Sequence, residues 1–333
     1  MKLTKSQTKK GRKEISMLNV FAGLGGGRLS AINAGLKVKT DYFSEVDKYA
    51  IKVYQKRFPD AILVGDVRQL KAIDFIHVNI ITGGSPCQNF SMMGRKKGMI
   101  TKTNVEVTSL KMYMKLKKEG FEFEGQSYLF WEFVRLYQEI KELQIKMGLP
   151  VLDFLLENVK MTPKWAKIIS DTLGVEPILI DAALVSAQSR KRLFWTSLKG
   201  VTLPEDKNIK LGDVIKGATS GCAYRGRDKN NYKQDIREYF YPLDIRNDFK
   251  SNTVLTSLGN TGQRSGNGKL YGNGFYFTKK GDIKRFEVSH IEVLQCLEKG
   301  WTNVKGVSNT QRIKMIGNAW CIGVTGHIMK FYK

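Results

Sequence analysis

The stretch ISMLNVFAGLGGGRLSAINAGL, residues 15–36, joins an apolar run typical of a buried strand to a run with helical spacing, through a turn rich in glycine. Glycines at such a junction let the backbone turn tightly and approach a ligand beside the helix N-terminus. Glu45 lies 20 residues after Gly25 and just past a second predicted strand, where nucleotide-binding α/β folds place an acid that accepts hydrogen bonds from ribose hydroxyls. The spacing departs from G-x-G-x-x-G, so a glycine-rich turn without a ligand stays an alternative at this point.

Strand-like and helix-like segments alternate from there to about residue 198, which predicts a parallel sheet covered by helices on both faces. One basic, polar stretch, residues 95–125, is long for a loop in a compact domain, so we expect it to be functional or partly helical. Residues 199–283 are rich in Gly, Asn, Lys, Arg and Tyr with short strand-like runs, and they predict a separate module. The predicted fold class is therefore α/β with a smaller, mostly β domain, preceded by a basic flexible tail at residues 1–14.

Composition limits the function. The 333 residues carry 55 Lys and Arg against 31 Asp and Glu, a formal net charge of +24. This excess indicates a polyanionic partner, foremost nucleic acid, although a generally basic protein without one is the alternative. Four scattered cysteines and three histidines argue against a disulfide framework and a zinc site, so no metal is expected. No apolar run reaches membrane-spanning length and the N-terminus lacks a secretory signal, so we expect a cytoplasmic protein with no membrane partner.

Three groups of chemically capable side chains follow predicted strands. Cys87, in SPCQNFS, comes where the fourth strand should end, and Glu157, in ENV, ends the next one. Open α/β sheets bind ligands outside the carboxyl ends of their strands, so both side chains face one crevice. If QSRKR leads into a strand, Arg190 and Arg192 point to one face. Taken singly, each has a plainer interpretation: a buried inert thiol, a solvated glutamate and an exposed basic run.

Seven motifs in chain order, FAGLGG, SEVD, GDV, SPCQNFS, ENV, QSRKR and GNAW, together resemble those of the DNA cytosine-5 methyltransferases. The resemblance runs from Leu18 to Lys333 except for the module at 199–283. The texts LVSAQSRKRLFWT, KSNTV and VSNTQRIKMIGNAW look especially like phage and prophage members, which in turn resemble the catalytic domains of animal de novo methyltransferases. The implied fold is a Rossmann-like methyltransferase sheet, and the implied cofactor is S-adenosyl-L-methionine.

The resemblance also implies a covalent mechanism. Cys87 is expected to add as a thiolate to carbon 6 of cytosine, while Glu157 holds and protonates ring N3. Arg192 is expected near the base O2, favouring the thiolate and the charge that develops on the ring, with Arg190 in support. Asn158 is expected to order the Pro86–Cys87 loop, whose backbone reads the exocyclic amine. The group that accepts the carbon-5 proton is left unassigned.

For the cofactor, the resemblance implies that Phe21, Gly23 and Gly25 line the adenine and methionine side of the pocket. Glu45 is expected to bind the ribose hydroxyls and Asp66 the adenine amine. The other residues that the motifs imply for cofactor binding are Val46, Val67 and Asn318, the last closing the pocket from the C-terminal GNAW segment.

For DNA, the target base must leave the duplex, and the family uses the loop after the nucleophile for this. Here that loop, SMMGRKKGMITK, carries Arg95, Lys96 and Lys97 for phosphate contact, and a further stretch at about 100–125 exceeds what compact bacterial members carry. In SNTVLTS, Thr253 resembles the element that supports the recognition loops. Arg264 is the candidate base-reading side chain, with a phosphate contact as the alternative. Arg285 and Glu292, in a degenerate family segment, are expected as structural anchors.

The resemblance divides the chain into a catalytic and cofactor-binding domain at 15–198 plus 308–333, and a target-recognition domain with its hinge at 199–307. The expected partner is double-stranded DNA, in a bacterial or phage-infected host cell. A monomer is expected, because flipping one base needs one active site. The sequence leaves open whether a cognate restriction endonuclease accompanies the protein or it works alone for a phage.

Three other functions account for part of the sequence. An RNA cytosine-5 methyltransferase shares this fold, but the Cys-Phe-Thr element of the eukaryotic relative that acts on tRNA is absent. A non-catalytic DNA-binding homologue would be expected to lack the Cys or the Glu, and both are present. A nicotinamide-dependent oxidoreductase is suggested only by the glycine-rich turn and Glu45, and it leaves Cys87, Glu157 and the net charge of +24 without a role.

Overall fold

The structure is a computed structural model that describes residues 13–87, 89–90, 98–226, 240–242, 249–254, 256, 263–264, 270–281 and 283–333. The strands are β1 (Glu14–Val20), β2 (Lys37–Ser44), β3 (Ile62–Gly65), β4 (Ile80–Gly84), β5 (Asp153–Val159), β6 (Ile178–Asp181), β7 (Lys191–Thr196), β8 (Ala218–Gly226), β9 (Phe240–Pro242), β10 (Gln263–Arg264), β11 (Leu270–Thr278) and β12 (Ile283–Arg285). The helices are α1 (Gly26–Asn33), α2 (Lys48–Arg57), α3 (Leu110–Lys118), α4 (Phe130–Lys146), α5 (Pro163–Leu173), α6 (Leu211–Val214), α7 (Val288–Leu294), α8 (Asn309–Asn318) and α9 (Ile322–Met329).

Seven strands form the main sheet in the order β3-β2-β1-β4-β5-β7-β6. All neighbouring pairs are parallel except those of β7, which runs antiparallel to both β5 and β6. The predicted α/β fold with a mostly parallel sheet is confirmed. Because the parallel strands β1 to β5 all end at the same edge, the residues that follow them are brought together there.

Successive side chains of β1 point to opposite faces of the sheet. Ile15 and Met17 belong to one buried apolar cluster, and Leu18 and Val20 belong to the other. Both faces of the sheet are therefore covered, which explains why its strands read as nearly continuous apolar runs.

The second sheet is antiparallel, with strands in the order β10-β11-β8-β9 and with β12 paired to β11. The prediction of a mostly β module after residue 198 agrees with this sheet. Residues 286–307 contact the large domain: the Trp301 indole donates to Leu24 O at 3.1 Å, and Arg57 donates to Trp301 O at 2.7 Å. The predicted domain boundaries remain a prediction. These contacts favour ending the target-recognition domain near Phe286 instead of at residue 307.

Two segment predictions changed at their edges. The tail was expected to reach residue 14, but β1 already begins at Glu14, whose carboxylate pairs with Lys37 on β2 at 2.6 Å, so strand pairing extends further than the sequence pattern indicated. Residues 1–12 lie outside the described part of the chain. Within the basic stretch 95–125, α3 confirms the expected helical portion. Among the described residues, no helix has both the length and the apolar character needed to cross a membrane.

Candidate active site

A cavity of about 340 Å³ lies where β1 to β5 end. Its walls combine the glycine-rich turn after β1, the acids after β2 and β3, the SPC segment after β4 and Glu157 on β5. The predicted site residues that line it are Phe21, Gly23, Glu45, Val46, Asp66, Val67, Pro86, Cys87, Glu157, Arg190, Arg192 and Asn318. Predicted catalytic and cofactor positions, which are far apart in sequence, thus share one enclosed space.

The glycine-rich turn is built by residues in the left-handed region. Phe21 has φ +54° and Gly23 has φ +54°, and the turn is closed by the Glu45 carboxylate, which accepts from Gly23 N at 2.8 Å. Glu45 also accepts from Val46 N and Asp47 N at 2.8 and 2.9 Å. A carboxylate has about four acceptor sites, so Glu45 keeps capacity for one more donor, such as a ribose hydroxyl. The residues present here fit a nucleoside.

Gly25 is the one predicted cofactor residue of this turn that does not line the cavity. It caps α1 with φ +97°, and a Cβ placed there would come within 2.7 Å of the Phe58 ring. Its lack of a side chain therefore serves the turn and the packing of α1 against Phe58, because a larger residue would meet both the backbone strain and the ring.

Asp66 lines the cavity, but its carboxylate is already paired. Arg68 Nε lies 3.0 Å from each Asp66 oxygen, a second guanidinium nitrogen also contacts it, and Arg68 N donates to it at 2.9 Å. The hydrogen bond from Arg68 lowers the pKa of Asp66 below its usual range. An adenine amine would therefore have to share Asp66 with Arg68 or displace it.

Cys87, Glu157 and Arg192 form the charged end of the cavity. Glu157 is 8% exposed, and Arg192 Nε lies 3.0 Å from its Oε1. Glu157 is carried there because β5 pairs with β4 in register, placing Glu157 opposite Gly84, three residues before Cys87. Arg192 belongs to the neighbouring β7, where it is opposite Val159. Adjacent strands thus bring a thiol, a carboxyl and a guanidinium together.

Burial controls the protonation of this group. Desolvation raises the pKa of Glu157, and the charges of Arg192 and Arg190 oppose that rise. Desolvation also raises the pKa of the Cys87 thiol, Glu157 adds to this effect, and the two arginines oppose it. A carboxyl with a raised pKa is better suited to hold a proton and give it to a substrate, and the thiol needs the arginines, or a bound substrate, to become a thiolate.

The two arginines have different surroundings. Arg190 is 3% exposed and donates to Val254 O, Gly317 O and Ala319 O at 3.0 to 3.1 Å. It therefore joins the segment between β9 and β10 to the end of α8 at the cavity wall. Burial, followed by the charge of Arg192, lowers the pKa of Arg190. Arg192, in contrast, has its guanidinium on Glu157, so it is the arginine with direct access to the reacting groups.

Asn158 does not line the cavity, because its side chain turns into the protein, where it is 1% exposed. Its Nδ2 donates to Ser85 O at 3.2 Å and to Ser85 Oγ at 3.0 Å. Ser85 directly precedes Pro86, so Asn158 holds the start of the segment that carries Cys87. This geometry is the one that the sequence-based expectation for Asn158 requires.

The predicted DNA-contacting residues are only partly covered by the structure. Arg95, Lys96 and Lys97 lie outside the described residues, and of Arg264 only its place in β10 is described. Thr253 Oγ1 donates to Ser189 O at 2.6 Å, and Ser251 pairs with Gln188. The segment between β9 and β10 is therefore hydrogen-bonded to the loop that leads into Arg190 and Arg192.

Some cavity residues were missed by sequence reasoning. Trp320 lines the cavity, and a Cβ on Gly84 would come within 2.8 Å of its Nε1, so the indole narrows the passage beside Glu157. Trp320 belongs to the GNAW motif. Its position two residues after Asn318, the predicted cofactor residue, could have indicated that it lines the cavity. Gln126, Tyr128 and Leu129 also line the cavity, and no motif marked them.

Comparisons with known proteins identify a family. The family model for C-5 cytosine-specific DNA methylases matches residues 15–211. Type II methyltransferase M1.ScrFI of Lactococcus lactis subsp. cremoris is 36% identical over 144 residues, 43% of this chain and 28% of that protein. Orphan methyltransferase M.SPBetaI of Bacillus phage SPbeta is 27% identical over 229 residues, 61% of this chain and 49% of that protein.

The matched part thus spans roughly a quarter to a half of these curated relatives' lengths. Among solved structures, the Entamoeba histolytica methyltransferase EhMeth superposes with a TM-score of 0.61 at 15% identity, covering 96% of this chain and 98% of that one. That likeness confirms the Rossmann-like methyltransferase fold over nearly the whole chain. With more than half of its length matched by the family model, the chain belongs to the C-5 cytosine-specific DNA methylase family.

Proposed function

We propose that this protein transfers a methyl group from S-adenosyl-L-methionine to carbon 5 of a cytosine flipped out of duplex DNA, through a covalent adduct between Cys87 and carbon 6. The observation that carries the proposal is the shared cavity. Cys87 and Glu157, which follow or end neighbouring strands, face the same space as the glycine-rich turn and Glu45. A nucleoside site and a thiol–carboxyl pair in one cavity suit a reaction between a nucleoside cofactor and a base.

The cofactor, when bound, supplies an electrophilic methyl group. Gly23 and Glu45 would hold its ribose end, Val46 and Val67 would pack on its base, and Asn318 would close the pocket. Val46 is 68% exposed and lines the cavity, so a flat ring could cover its apolar side chain. These residues bind and orient the cofactor and keep water away from the reacting carbon.

The chain's own side chains activate the base. Cys87 adds through Sγ to carbon 6 while Glu157 delivers its proton to N3, so no full negative charge accumulates on the ring. Arg192, held on Glu157, favours the thiolate before addition and the developing charge during it. After methyl transfer, a base removes the carbon-5 proton, the Cys87–carbon 6 bond breaks to release the thiolate, and N3 returns its proton to Glu157.

The DNA contacts complete the proposal. Arg95, Lys96 and Lys97 would contact phosphates, and Thr253 would position the recognition module through Ser189 rather than touch DNA. Arg264, at the edge of the small sheet, would reach a base or a phosphate. The Ser251–Gln188 pairing lies next to Arg190, so it would link the recognition module directly to the segment that carries the catalytic arginines.

The test uses plasmid DNA from cells that express either the wild type or Cys87→Ala, sequenced after a conversion chemistry that reports 5-methylcytosine. Methylation at one short motif, absent in the variant, would establish reaction, substrate and specificity together. Methylation by both proteins would contradict the role of Cys87. No plasmid methylation by the wild type, with methylation of tRNA in the same cells, would replace duplex DNA by RNA as the substrate.

A further inference from the structure

We call the stretch from Gly98 to Ser127 the brace. It connects the catalytic loop, which is the loop that follows Cys87, to the start of α4. It contains α3 and two isolated bridges, Ile100 to Glu106 and Thr101 to Phe123. Val107 and Tyr113 are buried at 0% and 1% exposure in the same apolar cluster as the helix α4. The brace is therefore a packed substructure, firm enough to hold something in place.

The brace binds Asn89 through hydrogen bonds. Asn89 lies two residues after Cys87 and is 6% exposed. Its Nδ2 donates to Glu124 O at 3.0 Å, and its backbone N donates to Ser127 Oγ at 3.2 Å. Its carbonyl accepts from Gly98 N at 3.0 Å. The side-chain amide and both backbone polar groups of Asn89 are thus bound to the brace.

The turn that carries Cys87 is fixed from a second side as well. Phe90 N donates to Cys87 O at 2.9 Å, and the Phe90 ring, 1% exposed, packs edge-on against Trp165 with centroids 6.1 Å apart. A Cβ on Gly98 would lie 1.8 Å from the same indole. Both ends of the catalytic loop therefore rest on Trp165, and Asn89 joins them to the brace.

We propose that Asn89 is a positioning residue: with the brace, it fixes the turn after β4 so that Cys87 Sγ faces Glu157 across the cavity. This inference rests on the proposed function for its consequence, because it states which contact the reaction needs. The physical reason is that a nucleophile misplaced by about 1 Å can cost on the order of 100-fold in rate. It also gives the additional stretch at 100–125 a role, as the support of the nucleophile.

The brace contains its own matched pair of glycines for a test. Gly125 has φ +66°, and a Cβ there would come within 2.7 Å of Asn89 Nδ2. Gly120 has φ +79°, and a Cβ there would meet nothing within 4 Å. Gly125→Ala and Gly120→Ala therefore carry similar backbone strain, but only Gly125→Ala pushes on the Asn89 amide. Their difference isolates the contact from the general cost of alanine at a positive φ.

The measurement is the methyl-transfer rate on duplex DNA in single turnover, with KM for DNA and for the cofactor from steady-state runs. Relative to Gly120→Ala, Gly125→Ala should lose about 10- to 100-fold in rate, with both KM values within two-fold and a similar melting temperature. Equal rates in the two variants, or a change in KM alone, would overturn the inference.

Asn89→Asp provides the second variant if Gly125→Ala does not fold. Aspartate has the shape of asparagine but places a carboxylate oxygen against Glu124 O, so the hydrogen bond becomes a repulsion. The same loss of rate is expected, and a wild-type rate would overturn the inference.

The proposed function and this inference fail differently. If the wild type transfers no methyl group to DNA, the proposed function is wrong, and alkylation of the Cys87 thiol by iodoacetamide then tests the positioning. Alkylation several-fold faster in Gly125→Ala than in Gly120→Ala would support a displaced Cys87, and equal rates would overturn it.

Discussion

Glu157 and Glu292 are both buried glutamates paired with an arginine, yet their surroundings differ in one respect. Glu292, 0% exposed, accepts from Gly300 N at 2.6 Å, from Thr302 N at 2.8 Å, from the Thr302 hydroxyl and from Arg312 at 3.2 Å. Among the described side chains, Arg192 is the one that pairs with Glu157, and Glu157 lines the cavity. One carboxylate is filled and structural, and the other keeps acceptor sites open to a ligand.

Glu132 repeats the structural arrangement elsewhere in the fold. It is 0% exposed and is bound by Tyr113 OH, by Lys117 Nζ and by Arg135 Nε. Burial of a carboxylate is therefore not by itself a mark of chemistry in this protein. The distinguishing feature is an acceptor site left open towards a cavity, where the cost of burial is offset only when a partner arrives.

The largest effect is expected at Glu157. Glu157→Gln keeps the shape and can still contact Arg192 and the base, but it has no proton to give to N3. The single-turnover methyl-transfer rate should fall by about 100-fold or more, while the melting temperature changes little. The control is binding of S-adenosyl-L-homocysteine, which should stay within a few-fold of wild type. An unchanged rate would remove Glu157 from the chemistry and with it the contrast to Glu292.

The reverse outcome is expected at Glu292. Glu292→Gln replaces one acceptor oxygen with an amide that faces N–H donors, so a half-buried arginine and at least one backbone donor lose a partner. The free energy of unfolding should fall by about 3 kcal/mol, measured by urea denaturation. The methyl-transfer rate per folded molecule should stay near wild type. A variant that unfolds at the wild-type urea midpoint would show that filled acceptor sites do not identify a structural carboxylate here.

The main features of the fold followed from the sequence for a physical reason. Parallel strands that end at one edge bring the residues after them together, so Cys87 and Glu157 met as expected although 70 positions separate them. Gly23 and Glu45 were placed by the same logic. Local patterning and strand order are enough for such contacts, since neither depends on how helices pack. Glu292 was likewise expected as an anchor, and its four donors agree with that role.

Other contacts could not be read from the sequence. Asn89 meets Glu124 only because the brace folds back over 35 positions, which no periodicity encodes. Cys296 and Cys321 were seen as scattered, yet their sulfurs lie 3.7 Å apart, because α9 packs against the turn after α7. The Arg68–Asp66 pair is local, but the sequence does not predict it, because an arginine two residues after an aspartate can equally point to solvent. Tertiary packing decided the contacts of Asn89 and of the two cysteines.

The charges of Glu157 and Arg192 should also affect the pKa of the Cys87 thiol, which shares the cavity. The charge of Glu157 raises the pKa of Cys87, so Glu157→Gln should lower that pKa and increase the rate of alkylation by iodoacetamide. Arg192 lowers the same pKa, so Arg192→Met should raise it and slow the reaction. Changes of several-fold in opposite directions are expected, followed by mass spectrometry of the Cys87 peptide across pH 7 to 10. Shifts in the same direction would contradict the proposed electrostatics.

Asp66 shares a feature with each kind of carboxylate. It lines the cavity, as Glu157 does, but an exposed partner, Arg68, occupies its acceptor sites. Arg68 is 53% exposed at its side chain, and an ion pair of this kind contributes about 0 to 1 kcal/mol. Arg68→Ala should therefore free Asp66 for the adenine amine and tighten S-adenosyl-L-homocysteine binding by a few-fold in calorimetry. Lys167→Ala, which removes an exposed cation that pairs with Asp171 away from the cavity, is the control for loss of charge. Weaker binding in Arg68→Ala alone would mean that the guanidinium itself contacts the cofactor, and that a filled carboxylate at a cavity wall acts through its partner.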